Sequence, residues 1–282
     1  MPIINGPLLV ETPQPPQRQY GIFDVALGPM PFPDQNAGAS GITYVPDTCE
    51  DDVFVVALNC PPITGTKTFS GNEAAVSGQA FAVMTSYTCG SLGYSFEESE
   101  RKVRTRMSLR EQRAVERRLW QGSTGVLGTI TGQFRNATNL GSAGCPVTAV
   151  QLLEQALADN GIVGGIIHAR PGMAAHLANN HLIDQAGRVK QTPLGTPYAF
   201  GQGYDGTGPT GQAATATTEW MYASGRVAIW QDAEVFVPPP RQTFDKALNQ
   251  MMLIAERMYI TTVECGVFAV EVTRTCTTAG SA

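Results

Sequence analysis

From Glu97 to Gln121 the chain runs 25 residues without a proline or a glycine, and eight basic and five acidic side chains stand in that window. Such a run reads as one long helix, spanning roughly 37 Å at about 1.5 Å per residue. Ser95 supplies an N-cap oxygen, and Glu97, Glu98 and Glu100 suit the positive end of the helix dipole. Arg117 and Arg118 suit the negative end, and Gly122 stops the helix. The apolar stripe of Val103, Met107, Ala114, Val115, Leu119 and Trp120 is narrow, so one side packs and the remainder is charged. A solvated surface helix and a helix lying across subunit boundaries fit this pattern equally well.

Charge is scarce elsewhere. The chain has 282 residues, 15% of them charged, against roughly 25% in an average soluble domain. Gly and Pro together number 49 (30 and 19), so much of the backbone runs through turns, kinks and extended arms. No apolar run approaches the roughly 20 residues of a membrane helix, and the start of the chain lacks the pattern of a signal peptide. A soluble protein made in the cytoplasm is expected. Cys49, Cys60, Cys89, Cys145, Cys265 and Cys276 include no C-x-x-C pair and read as free thiols, mostly packing groups. A net charge of −5 argues against sequence-reading DNA binding, but it is compatible with enclosing nucleic acid.

Residues 1–40 hold eight of the 19 prolines, a density that leaves no room for a helix or a central strand. Apolar residues such as Ile3, Ile4, Leu8, Leu9, Tyr20, Ile22 and Phe23 make the segment an extended arm that lies on another surface. Val53–Leu58 and Ala80–Met84 read as the strands of a long two-stranded excursion, with a Gly- and Thr-rich tip from Gly65 to Gly71. Beyond the long helix the chain alternates. Helices are expected over residues 146–160 and 173–182, and strands over 162–169, 221–230, 233–237, 251–263 and 266–273. The whole reads as α+β.

Nothing in this pattern carries chemistry. Gly201–Gly206 fits G-x-G-x-x-G, but Thr207-Gly208-Pro209-Thr210-Gly211 follows, and that cannot open the phosphate-binding helix the fingerprint needs. His176 and His181 are five apart, about 140° apart around a helix, so they and His168 read as structural histidines rather than metal ligands. No catalytic, cofactor-binding or metal-binding residue is assigned.

Taken in order, the apolar proline-rich arm, the β excursion, the charged helix, an α/β segment and a β return resemble the major capsid protein of tailed double-stranded DNA bacteriophages. That is the Hong Kong 97-like fold, here in the siphophage type of actinobacterial hosts. Ala114-Val115-Glu116-Arg117-Arg118-Leu119-Trp120-Gln121-Gly122 is similar to the end of the family's spine helix. Ala255-Glu256-Arg257, preceding a strand within Asn249–Val263, is similar to the approach to its penultimate peripheral strand.

The resemblance implies an N-terminal arm (1–45), an E-loop with flanking strands (46–88), a peripheral domain with its spine helix (89–122 and 231–282) and an axial domain (123–230). It implies copies assembled as hexamers and pentamers into an icosahedral shell around packaged double-stranded DNA, bound without sequence specificity. Portal, scaffold and decoration proteins are the further partners, the virion is the location, and neither membrane nor cofactor is involved. Lys67, Arg110, Arg113, Trp120, Glu256 and Arg257 are the expected assembly contacts. Lys67 and Asn249 are the residue types of the isopeptide crosslink some relatives form, but Lys67, between two threonines, reads as a charge contact. The rival readings are an encapsulin shell, a soluble α/β enzyme using the Gly201–Gly211 loop and the histidine cluster, and a tail-tube or other virion structural protein. Eight early prolines oppose the cargo-binding helix with which encapsulins generally begin.

Overall fold

In a computed structural model of the chain, residues 20–34, 36–46, 75–90, 95–125, 128–245, 247 and 249–276 are described. They build two five-stranded sheets and one long helix. The helix runs from Phe96 to Gln121. Its start is fixed by a capping box: Ser95 Oγ accepts from the Glu98 amide at 3.1 Å, and the Glu98 carboxylate accepts from the Ser95 amide at 2.9 Å. The Ser95 amide holds the Glu98 carboxyl below its ordinary range. Gly122 ends the helix at φ 84°, a left-handed backbone that costs glycine little.

The first sheet is organised by the 14-residue strand Gln250–Val263. Along most of its length it pairs antiparallel with Ala80–Gly90, from Gln250 opposite Gly90 to Ile260 opposite Ala80. Its far end pairs antiparallel with Val227–Gln231, and its near end with Phe244–Asp245. Leu27–Pro31 completes the edge, parallel to Val227–Gln231. The long helix lies against this sheet. Val103, Met107, Val115 and Leu119 share one core with Val83, Leu253, Ala255 and Tyr259. Each fully buried aliphatic side chain contributes about 1.5–3 kcal/mol.

The second sheet runs in the order Tyr198–Phe200, Ile166–Ala169, Thr218–Ser224, Val267–Thr273, Thr138–Ala143. Helices Pro146–Asp159 and Met173–Asn179 cover one face: Leu153, Leu157, Met173 and Leu177 meet Ile167, Met221, Val270 and Val272. Trp220, Tyr222 and Ala269 point the other way, into the core that holds the C-terminal turns of the long helix. Every residue from Glu219 to Ser224 is therefore buried, and the strand reads as a continuous run rather than an alternation.

Several expectations need correction. The proline-rich arm contains a helical turn, Ile22–Val25, and the strand Leu27–Pro31. Pro29 and Pro31 are tolerated because this is an edge strand, where missing donors leave no partner unpaired. Ile22 is fully buried in the core of its own subunit, so this part of the arm is anchored at home. Residues 233–237 form no strand, only a bridge of Phe236 to Glu256. Ala255-Glu256-Arg257 lies inside the strand Gln250–Val263 rather than before it. Cys265 is disulfide-bonded, whereas Cys89, Cys145 and Cys276 are free, with Cys276 exposed rather than packed. At the root of the excursion Ile42–Tyr44 pairs antiparallel with Val76–Gly78. Val53–Leu58 and the tip lie outside the described residues.

Candidate assembly surface

Apart from Arg101, the arginines of the long helix fall into two groups. Arg104 is held by Glu100 at 2.7 Å and by the Val235 carbonyl at 2.8 Å. Arg106 donates to the Ser86 carbonyl and lies over the Tyr87 ring. Arg118 is buried, donates to the Thr131 carbonyl at 3.0 Å and has its pKa pushed down to about 10 by desolvation. Arg110, Arg113 and Arg117 form the second group. Spaced i, i+3, i+7, they share one exposed face, and none has an ion-pair partner among the described residues. They form a stripe of positive charge that no acidic side chain pairs with among the described residues.

Exposed apolar side chains add to it. Met84, Met252 and Phe236 stand on the outer face of the first sheet, and Val163 and Leu194 project from loops beside the second, 71% and 81% exposed. Single exposed apolar residues are ordinary, but neighbours such as Met84 and Phe236, which flank Glu256 from both sides, form a patch.

The inward side of the helix is polar where it has to be. Glu111 accepts from Arg257 at 3.0 Å and from the Tyr259 hydroxyl at 2.7 Å. Glu116 is buried and accepts from the Ile22 amide (3.1 Å), Gln112 Nε2 (2.9 Å) and the Gly203 amide (2.9 Å). Desolvation raises its pKa, and these donors oppose the rise. Trp120 is 1% exposed. Its ring centroid lies 4.5 Å from Tyr222 and 4.6 Å from Tyr204, and its Nε1 donates to the Thr207 carbonyl at 2.9 Å.

The expected assembly residues therefore separate. Arg110 and Arg113 stand side by side on the surface. Trp120 is a core residue of its own subunit, unavailable to a neighbour, and Arg257 is engaged by Glu111 within the subunit. Glu256 is half-buried on the patch, its backbone bonded to Phe236. Lys67 lies outside the described residues, and Asn249 is exposed at φ 49°.

The glycine-rich loop is a packing device. A Cβ at Gly203 would fall 2.1 Å from the Arg113 carbonyl oxygen and 2.6 Å from the Arg117 amide. Glycine is needed there because the loop backbone touches the helix backbone. His168 is fully buried, bonded through Nδ1 to the Tyr204 hydroxyl (2.9 Å) and through Nε2 to Ser224 Oγ (2.8 Å). Burial pushes its pKa down to about 3, so it is a neutral structural group. Sequence reasoning missed Glu116 as an organiser. The available signal was a glutamate, Glu116, adjoining the apolar stripe at Val115.

No protein-family profile and no curated protein sequence matches the chain. Solved structures do match along nearly its whole length. A chain from the capsid of an empty GTA particle superposes with a TM-score of 0.60 at 12% identity, over 95% of each chain. A Microbacterium phage Oxtober96 chain gives 0.58 at 10% identity, over 96% of each. A chain of Mycobacterium phage Ogopogo gives 0.56 at 13% identity, over 96% of this chain and 97% of that one. At these identities the likeness is one of fold, and it extends from end to end: the chain has the Hong Kong 97-like capsid fold.

Proposed function

We propose that the chain is a major capsid protein, whose copies self-assemble into the closed shell of a phage virion around double-stranded DNA. The observation that carries this reading is the match in fold over about 95% of both chains to the capsid of a GTA particle. The surface supports it. A chain with 15% charged residues has three neighbouring arginines without ion-pair partners among the described residues and keeps apolar side chains at loop tips, which suits surfaces that neighbours cover. In this reading the described part of residues 20–45 belongs to the N-terminal arm and residues 46–88 carry the E-loop with its flanking strands. The long helix is the spine, the first sheet is peripheral and the second axial. The role is structural, not catalytic, and the portal, scaffold and decoration proteins are partners of the assembled shell.

Purified protein examined by size-exclusion chromatography with light scattering, and by negative-stain microscopy, tests the proposal. Closed particles of megadalton mass are expected. A monodisperse monomer of 30.1 kDa at high concentration would overturn it. Closed particles that enclose protein cargo in the native host, rather than DNA, would overturn the phage assignment while leaving the shell intact.

A further inference from the structure

The helix Phe96–Gln121 has one wholly basic flank. Lys102, Arg106, Arg110, Arg113 and Arg117 are spaced i, i+4, i+8, i+11 and i+15. At about 100° per residue they fall within about 80° of arc, and no acidic side chain of the helix shares that arc. Two contacts fix where the flank lies. Lys102 Nζ stands 5.6 Å from the centroid of the Tyr87 ring and the Arg106 guanidinium 4.7 Å from it, so the flank overhangs strand Ala80–Gly90. Among the described residues that strand pairs only with Gln250–Val263, and it borders the first sheet on this side.

The other flank of the helix lies toward the opposite side of the sheet. Arg104, about 160° from the middle of the basic arc, donates to the Val235 carbonyl at 2.8 Å. The Asp232 amide donates to the Met258 carbonyl at 3.0 Å, and Phe236 and Glu256 exchange backbone hydrogen bonds. Residues 232–236 therefore run along the side of Gln250–Val263 that Ala80–Gly90 does not occupy. Asp232, Glu234 and Glu256 bring three carboxylates here, Glu234 exposed and the other two half-buried. None of the three has a side-chain hydrogen bond or ion pair among the described residues. Exposed Phe236 adjoins them.

One side of the layer thus offers three unpaired arginines and the opposite side three unpaired carboxylates. Within a subunit the helix and the sheet keep them apart; a second copy set beside the first in the same layer brings them together. We propose that the basic flank of one copy docks on the acidic side of the next, with Arg110, Arg113 and Arg117 facing Asp232, Glu234 and Glu256. The inference rests on the reading of the chain as a shell subunit and names the contact. Each copy uses both surfaces once, the head-to-tail arrangement that closes into rings when the rotation between copies permits. A two-fold contact through the basic flank would instead set arginine against arginine, which is costly. A polyanion such as nucleic acid on the basic flank would leave the carboxylates unmatched.

Charge reversal on each side, then on both, tests the contact in the full-length protein. Arg110→Glu with Arg113→Glu, and separately Asp232→Lys with Glu234→Lys, set like charge against like and should lower the yield of sedimenting particles at least about tenfold. All four replacements together restore opposite charges at every contact and should recover particles. A second measurement does not depend on the reversals being tolerated. Particles of the charge-conserving variant Arg113→Lys, treated with a zero-length carbodiimide, should give a dimer band on a denaturing gel. Mass mapping should join position 113 of one copy to Asp232, Glu234 or Glu256 of another. Normal particles from Asp232→Lys with Glu234→Lys would leave the basic flank to a polyanion and overturn the contact. Absence of the cross-copy link in particles would also overturn it, and both results leave the shell reading standing. A parent protein that stays monomeric overturns the two together.

Discussion

Trp120 shows how a single side chain joins the two halves of the subunit. It ends the long helix, yet its ring is enclosed by Tyr204, Tyr222 and Phe134, which come from the second sheet and its loops. Trp120→Ala removes the largest buried side chain at this junction and is expected to cost about 3–5 kcal/mol. Denaturant unfolding measures it, and an unshifted midpoint would remove the tryptophan from the core. His168 makes a second prediction, with a definite sign. Its folded pKa of about 3 lies below the ordinary 6.5, so between those pH values the unfolded chain binds a proton that the native state refuses. Its contribution is complete above about pH 6.5 and is lost as pH falls, by up to about 1.4 kcal/mol per pH unit. Glu116, raised by burial, works in the opposite direction and loses stability as pH rises through its range. His168→Gln should flatten the acid limb of a plot of stability against pH, and an identical limb in the variant would rule the histidine out. That Trp120 packs and that His168 is structural were both legible from local pattern. The role of Glu116 was not, because its partners Ile22 and Gly203 lie 94 and 87 residues away in sequence.

At the scale of elements, the long helix was legible almost to the residue, since caps are local chemistry. Ser95 and Gly122 stand where the sequence places them. The turn and strand at Ile22–Pro31 were hidden because eight prolines speak against regular structure, and only a sheet edge makes a place for Pro29 and Pro31. In the proposed shell the helix would separate folding from assembly by face. Val103, Met107, Val115 and Leu119 hold the subunit, while Arg110, Arg113 and Arg117 have no ion-pair partner among the described residues. The double replacement Arg110→Glu and Arg113→Glu should change subunit stability by no more than about 0.5 kcal/mol, as exposed charges do. The same change should abolish particles in a sedimentation assay. Normal particle yield from the double variant would assign the stripe to solvent.

The molecule as a whole is two sheets stitched by a double crossing. Strand Thr218–Ser224 of the second sheet passes through Gly225 directly into Val227–Gln231 of the first, and Gln250–Val263 of the first returns through Cys265-Gly266 into Val267–Thr273 of the second. Residues 230 and 231 stand inside the strand Val227–Gln231, and the chain passes between the two sheets at residues 225–226 and 264–266. Sequence could not place these crossings, because apolar runs do not record which sheet they join. The crossing is tied by the Gly225 amide on the Gly266 carbonyl (3.1 Å) and by the Glu264 amide on the Arg226 carbonyl (3.0 Å). Glu264, 1% exposed, pairs with Arg226 at 3.0 Å and accepts from the Tyr44 hydroxyl at 2.8 Å, at the root of the excursion. Burial, the largest influence on that hydroxyl, pushes its pKa up to about 12, so it remains a donor throughout the physiological range. One carboxylate thus couples both sheets and the excursion. Arg226→Ala leaves it buried with the tyrosine and is expected to cost about 1–3 kcal/mol, a buried pair discounted for the partial exposure of the arginine. Because the chain crosses twice between the sheets, calorimetry on unassembled subunits should show one unfolding transition in the parent and one at lower temperature in Arg226→Ala. An unchanged midpoint, or two resolved transitions in the parent, would mean that the crossing does not couple the sheets.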